Sequence, residues 1–280
     1  MDSKTQPILC CVGDAVAGRP TQFLMERAFA ARNCDWRVIT VEVQQGNFQT
    51  ALDGMRAMRF KALRFFPEFQ FLAASSLLES STEPFQAVTS AMRRGDSWDC
   101  WDNQGFGLLD LIAAASPAAN VLMWLHGKSR LTYSLANAMQ ASEYNPGRLL
   151  WSDSGSLDRK AGGAEASDKE LTLADVKESL RESLMAESGL THLVVIGESL
   201  AEQLPLLSEQ SVASEMKLML ATNQMLTRQQ TIEAWKGGAV SIVSEADQLV
   251  AAEAYDYCRW TGQPVDMEML RDAYDEYADF

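Results

Sequence analysis

Apolar and polar positions along this chain fall into blocks whose period switches back and forth. Residues 8–12 (ILCCV) are a short apolar run closed by Gly13 and Asp14, and residues 23–31 then space their apolar side chains three and four apart. The first pattern predicts a buried strand, the second an amphipathic helix. Residues 36–43 alternate as a strand, residues 48–58 place Phe48, Leu52 and Met55 on one helical face, and residues 62–66 are a third apolar run stopped by Pro67. Strands alternating with helices predict a largely parallel sheet with helices on its faces. The rhythm resumes with a strand at 121–125, a helix at 131–139 and a strand at 149–151, which opens a second α/β unit.

Residues 152–169 are rich in Ser, Gly, Ala and charge, have almost nothing to bury, and predict a surface loop. Beyond them the pattern predicts a helix at 171–185, strands at 191–196, 216–222 and 239–243, and two closing helices at 246–260 and 267–277. Between the last two, Gly262 can cap one helix and Pro264 blocks its continuation.

Length and hydrophobic content, 280 residues and 47%, allow two compact domains or one large one with a proper core. A formal charge of −14 argues against nucleic acid or an anionic membrane surface as partner. The opening MDSKTQPILCCVGD lacks a charged leader followed by a long apolar run, and no later segment approaches the roughly 20 apolar residues of a membrane span. A cytoplasmic protein is expected. Five cysteines without C-x-x-C spacing and two histidines indicate neither a disulfide framework nor a metal site.

Two phrases carry a family resemblance: Trp101-Asp-Asn-Gln104 running into Gly105-Phe-Gly-Leu-Leu109, and the stretch from Leu249 through Tyr257 and Trp260 to Gly262-Gln-Pro264. They resemble the D-N-T-D-G-x-G-[FL]-L and L-V-x-Q-A-x-x-x-F-x-x-W-x-G motifs of the shikimate dehydrogenases. The turn at Gly13, residues 60–67 and Ala87-Val-Thr-Ser90 are similar to that family's opening loop, its N-V-T-x-P-x-K segment and its A-V-N-T segment. The resemblance implies an α/β protein with three parts. A substrate-binding domain would span about residues 1–110, a degenerate Rossmann-like domain 111–245, and C-terminal helices at 246–280 would return to the first domain. The ligand cleft would lie between the two domains.

That family reduces a ketone with hydride from NADPH, beside a lysine and an aspartate. Carried over by motif, the lysine falls on Phe69, which can neither carry charge nor donate a proton, and the aspartate falls on Gln104, an amide that can hydrogen-bond but cannot cycle a proton. Asp102 is the nearby carboxylate, with a loop acid or an Asx-turn as its ordinary reading. The substrate-holding positions fall on Arg19, Thr21, Leu63, Phe65, Thr89 and Ala252, which makes the implied cleft apolar where shikimate is polar. Arg19 with Thr21 suits a small anionic ligand, against the ordinary alternative of a surface arginine.

On the cofactor side the family's glycine-rich turn falls on residues 124–130, where Gly127 is kept and Lys128, Ser129 and Arg130 follow it. Side chains then stand where backbone amides would approach a pyrophosphate. The family's D-G-x-G-M segment falls on residues 244–248, and the arginine expected at an NADP 2′-phosphate falls on Asp153. His126 and His192 have no partner visible in the sequence and read as structural. The expectation is a non-catalytic homologue that acts as a binding or regulatory module, without a cofactor, and with a protein partner or a homodimer as its setting. The alternative is an NAD- or NADP-dependent oxidoreductase of the shikimate/quinate class with an altered substrate.

Overall fold

A computed structural model describes residues 6–78, 87–127, 129–152, 157–158, 178, 191–197, 217–221 and 239–279. The chain divides into two compact units, one formed by residues 1–107 with 249–280 and the other by residues 108–248.

The first unit is built on a five-stranded sheet in the order β2-β1-β3-β4-β5. Its strands are β1 (Ile8–Gly13), β2 (Arg37–Glu42), β3 (Ala62–Phe65), β4 (Ser90–Arg94) and β5 (Ser97–Trp101). β1 runs parallel to β2 and β3, whereas β3-β4 and β4-β5 pair antiparallel. Successive side chains on a strand point to opposite faces, and the two cores follow from that. Leu9 and Cys11 enter one core with α1 (Thr21–Ala31), α6 (Glu245–Thr261) and α7 (Met267–Ala278), which supply Leu24, Met25, Phe29, Tyr257, Trp260 and Leu270. Cys10 and Val12 enter the other with α2 (Phe48–Ala57) and α3 (Gln70–Leu77).

The long helix α6 begins at a reciprocal cap, in which Asp247 accepts from the Ser244 amide at 2.9 Å and Ser244 accepts from the Asp247 amide at 3.1 Å. It ends as the sequence predicts: Gly262 takes φ +72° and its amide bonds back to Cys258. Val250, Glu253, Asp256, Tyr257 and Trp260 form its buried stripe, at the three- and four-residue spacing of a helix face. Two members of that stripe are carboxylates.

The second unit holds a six-stranded sheet in the order β11-β10-β9-β6-β7-β8. Its strands are β6 (Val121–His126), β7 (Arg148–Ser152), β8 (Leu157–Asp158), β9 (His192–Gly197), β10 (Lys217–Ala221) and β11 (Val240–Val243), with β8 alone antiparallel. β6 pairs β7 on one side and β9 on the other, so the chain reverses its direction of winding beside β6 in the Rossmann manner. Residues 121–125 and 193–196 are buried throughout, as expected of strands covered on both faces. After β6 comes α5 (Arg130–Ala141).

Five elements depart from the pattern expected from the sequence. Residues 90–101 form a hairpin, turned at Gly95 with φ +63°, and α3 and α4 (Asn103–Ala115) are helices where motif similarity alone was read. Residues 157–158, inside the stretch expected as loop, pair with β7. The helix expected at 171–185 lies outside the described residues except for Glu178, which is helical. Among the described residues no helix is long and apolar enough to cross a membrane, and no group of His, Cys, Asp and Glu could hold a metal ion.

Candidate functional site

In the first unit the β1 strand ends at Gly13, where a Cβ would stand 2.5 Å from the Phe66 ring and 2.8 Å from Glu68 Oε1. Glycine leaves room there for the Phe66 ring and the Glu68 carboxylate, which a side chain could enter only by displacing them. The adjacent Asp14 amide donates to Glu68 Oε1 at 3.0 Å, and Arg19 Nη2 donates to Glu68 Oε2 at 3.1 Å. Burial opposes charge on Glu68, but backbone amides and Arg19 outweigh it and hold the carboxyl below its usual range. Arg19 also donates to the Ala15 carbonyl at 3.1 Å and lies over the Phe66 ring at 4.8 Å. The guanidinium offered by the sequence as an anion ligand is therefore already paired with a carboxylate of its own chain.

Phe69, Leu63 and Phe65 are brought together, fully buried, in the core between the sheet and α2 and α3. The Phe69 ring stacks on Phe48 with centroids 5.0 Å apart and planes at 13°, and Phe65 meets Phe48 edge-on at 5.8 Å. Next to them Gln70 is turned inward and donates to the Phe65 carbonyl at 2.9 Å.

Arg64, between Leu63 and Phe65, faces the other side of the sheet and meets α6. Its Nε and Nη2 donate to Glu253 Oε1 at 3.2 and 3.1 Å, and its Nε lies 3.5 Å from Asp256 Oδ2. Thr21 donates to the same Glu253 oxygen at 3.0 Å. Asp256 accepts from Ser90 at 2.5 Å, from Trp101 Nε1 at 2.6 Å and from Asn103 Nδ2 at 2.7 Å. Thr89 Oγ1 accepts the Asn103 amide at 2.7 Å, and Asn103 Nδ2 also reaches the Ala252 carbonyl at 3.3 Å. Three residues singled out from the sequence, Thr21, Thr89 and Ala252, thus converge on a buried polar network whose charged members were not anticipated. A signal was present: in the aligned motifs Arg64 and Glu253 stand where the family has Val and Ala.

Asp102 caps α4, its Oδ1 accepting from the Gln104 amide at 3.2 Å, and Gln104 is half-buried in the first turn of that helix. Three residues on, Gly107 lets α4 touch α6: a Cβ there would stand 2.6 Å from the backbone of Ala251 and Ala252.

In the second unit Gly127 takes φ +81° after β6, and Ser129 begins α5 with a capping box. Ser129 Oγ accepts from the Thr132 amide at 3.2 Å, while Thr132 Oγ1 accepts from the Ser129 amide at 3.1 Å and donates to the Gly127 carbonyl at 3.1 Å. Arg130 is the first residue of the helix, and Lys128 and Asp153 lie outside the described residues. Gly197 sits against His126, whose carbonyl leaves no room for a Cβ. His126 packs edge-on to Trp124, and His192 meets the Thr191 hydroxyl at 2.9 Å, so both imidazoles have neighbours. The segment 244–248 forms the cap and first turn of α6.

No family model and no curated protein matches this sequence. Solved structures do match over nearly the whole chain. Shikimate 5-dehydrogenase from Listeria monocytogenes, in complex with shikimate and NAD, superposes with a TM-score of 0.69 at 13% identity, covering 96% of this chain and 96% of its own. Shikimate 5-dehydrogenase from Thermus thermophilus, with NADP(H) and shikimate, gives 0.64 at 16% identity over 97% of this chain and 100% of its own. The Ael1 enzyme from Pseudomonas putida gives 0.64 at 17%, over 95% and 97%. The chain has the shikimate dehydrogenase fold. At such identities the likeness is one of fold, and function has to be argued from side chains.

Proposed function

We propose that this chain is a non-catalytic protein of the shikimate dehydrogenase fold, acting in the cytoplasm as a binding or regulatory module. The observation that carries this reading is Phe69. At the position of the family's lysine stands a fully buried ring, stacked on Phe48 in an apolar core. An acid-base group there would supply typically ~10²–10⁴ in rate, and a phenyl ring supplies none of it. Two further features support the reading. Arg19 and Thr21 spend their polar groups on Glu68 and Glu253, and Leu63 and Phe65 have no hydrogen bond to offer a hydroxylated substrate. At the start of α5 the Ser129 and Thr132 amides are taken by the capping box, so this turn fits a pyrophosphate poorly. The occupant of such a module is a protein partner, a second copy of the chain or a small anion, and the Arg19–Glu68 pair weighs against an anion at Arg19.

A thermal-shift titration with NADP⁺, NAD⁺ and shikimate tests the proposal. A ligand at 100 times its Kd stabilises the native state by about 2.7 kcal/mol, which for a protein of this size raises Tm by roughly 5 °C or more. A flat response to all three, with no nicotinamide absorbance change on shikimate, quinate or simple keto acids, is expected. A clear shift with a dinucleotide overturns the proposal in favour of an oxidoreductase with an altered substrate.

A further inference from the structure

The network around Arg64 holds two carboxylates and one guanidinium, all inside the first unit. Glu253 and Asp256 are fully buried and Arg64 is 6% exposed. With every member ionised the group carries one uncompensated negative charge, which a fully buried site does not tolerate cheaply. The hydrogen bonds point the same way. Thr21 and Arg64 both bond to Glu253 Oε1, while Glu253 Oε2 is buried with no donor among the described residues, a costly position for a charged oxygen. Among the described residues nothing else nearby supplies the missing positive charge. Besides Arg64 on β3, the titratable group facing the pair is the Cys11 thiol on β1, which burial pushes up and keeps neutral. The neighbours on α1, β4, β5 and α4 are Thr21, Ser90, Trp101 and Asn103, all uncharged. Arg259 lies over the Trp101 ring at 4.8 Å and pairs with Asp99.

We propose that the carboxyl of Asp256, which shares a single buried guanidinium with Glu253, keeps its proton in the folded protein, so that the seating of α6 on the sheet depends on pH. Both residues lie on the buried stripe of α6, and their partners are on α1, β3, β4, β5 and α4, so loss of the proton sets a bare charge among the polar contacts that tie this helix to those elements. Burial raises the Asp256 carboxyl to about 7, against the opposing pull of Arg64. An unfolded aspartate titrates near 3.9. Between those values the folded state holds a proton that the unfolded chain has released. Stability therefore falls as pH rises through this window and levels off above it.

The experiment is urea unfolding of the full chain at intervals from pH 5 to 8, for the wild type, Glu253→Gln and Asp256→Asn. One proton corresponds to about a ten-fold rise in the unfolding constant per pH unit. The expected result is that this slope is present in the wild type relative to either variant and vanishes in both. Equal slopes in all three proteins overturn the proposal. Infrared spectroscopy of the wild type at pH 6 decides the matter if a variant does not fold. A protonated-carboxyl C=O band that disappears on unfolding is expected, and its absence from the folded protein overturns the proposal equally.

Discussion

Phe69 stands where the motif alignment places a lysine, and its ring makes the contacts of a core residue rather than of a cleft wall. Placing a lysine there is therefore expected to damage the protein. Truncating a buried phenylalanine costs about 3–5 kcal/mol, and an unpaired ammonium in the same place adds a desolvation penalty. Phe69→Lys should lower stability by about 4 kcal/mol or more in urea unfolding and bring no ketone reduction. A stable, active Phe69→Lys would mean that this region opens readily enough to serve as a site. Arg19→Ala is the contrast: its ion pair with Glu68 is partly exposed, and a loss of under about 1 kcal/mol is expected in the same measurement. At this scale the phenylalanine at the position of the motif's lysine was legible, because a single replaced residue can be read from a motif. The buried Arg64, Glu253 and Asp256 were not, because a charged residue within a strand or helix reads as solvent-facing until its neighbours are known.

Glycines separate two kinds of helix contact. Gly54 lies within α2 with nothing inside 4 Å of an added Cβ, so Gly54→Ala removes only backbone freedom and should stabilise by about 0.5–1 kcal/mol. Gly107 lies within α4, where the same propensity gain applies, but its Cβ would stand 2.6 Å from the α6 backbone. Overpacking against main chain costs typically 1–3 kcal/mol and outweighs the gain. Gly107→Ala is thus expected to destabilise, and opposite signs for the two variants in parallel urea titrations are the check. Gly107 belongs to a family motif in the sequence, but its physical role, close approach of two helices, appears only with α6 in place. Elements marked by an unbroken apolar run, β1 and β6, or by helical spacing, α1 and α6, are legible nearly to their ends. The β4-β5 hairpin escaped because Arg93, Arg94, Gly95 and Asp96 break its alternation, and α3 because its apolar residues form no stripe.

At the scale of the whole chain, the first unit is assembled from both ends of the sequence. The alternating rhythm implied two α/β units, but no periodicity tells a C-terminal helix which sheet it joins; that expectation came from family resemblance. The consequence is a dependence of β1 and α1 on residues more than two hundred positions away. Leu270 is fully buried and Ala273 is 5% exposed in the core shared with Leu9 and Leu24. Tyr277 meets Phe23 at 5.7 Å, and Glu276 pairs with Arg27 at 2.7 Å. Burying a side chain of leucine size is worth about 1.5–3 kcal/mol, so losing α7 with its partly buried Met267, Met269 and Tyr274 removes several kcal/mol. Domains have only about 5–15 kcal/mol to lose. A chain ending at Pro264 should therefore lose hydrogen-exchange protection selectively. Amides of β1, β3 and α1 are expected to exchange faster by orders of magnitude, while β6 and β9, which belong to the other unit, keep their protection. Unchanged protection in β1 and α1 would show that α7 adds little to the core it covers. Uniform loss across both sheets would show that the two units fold only as one.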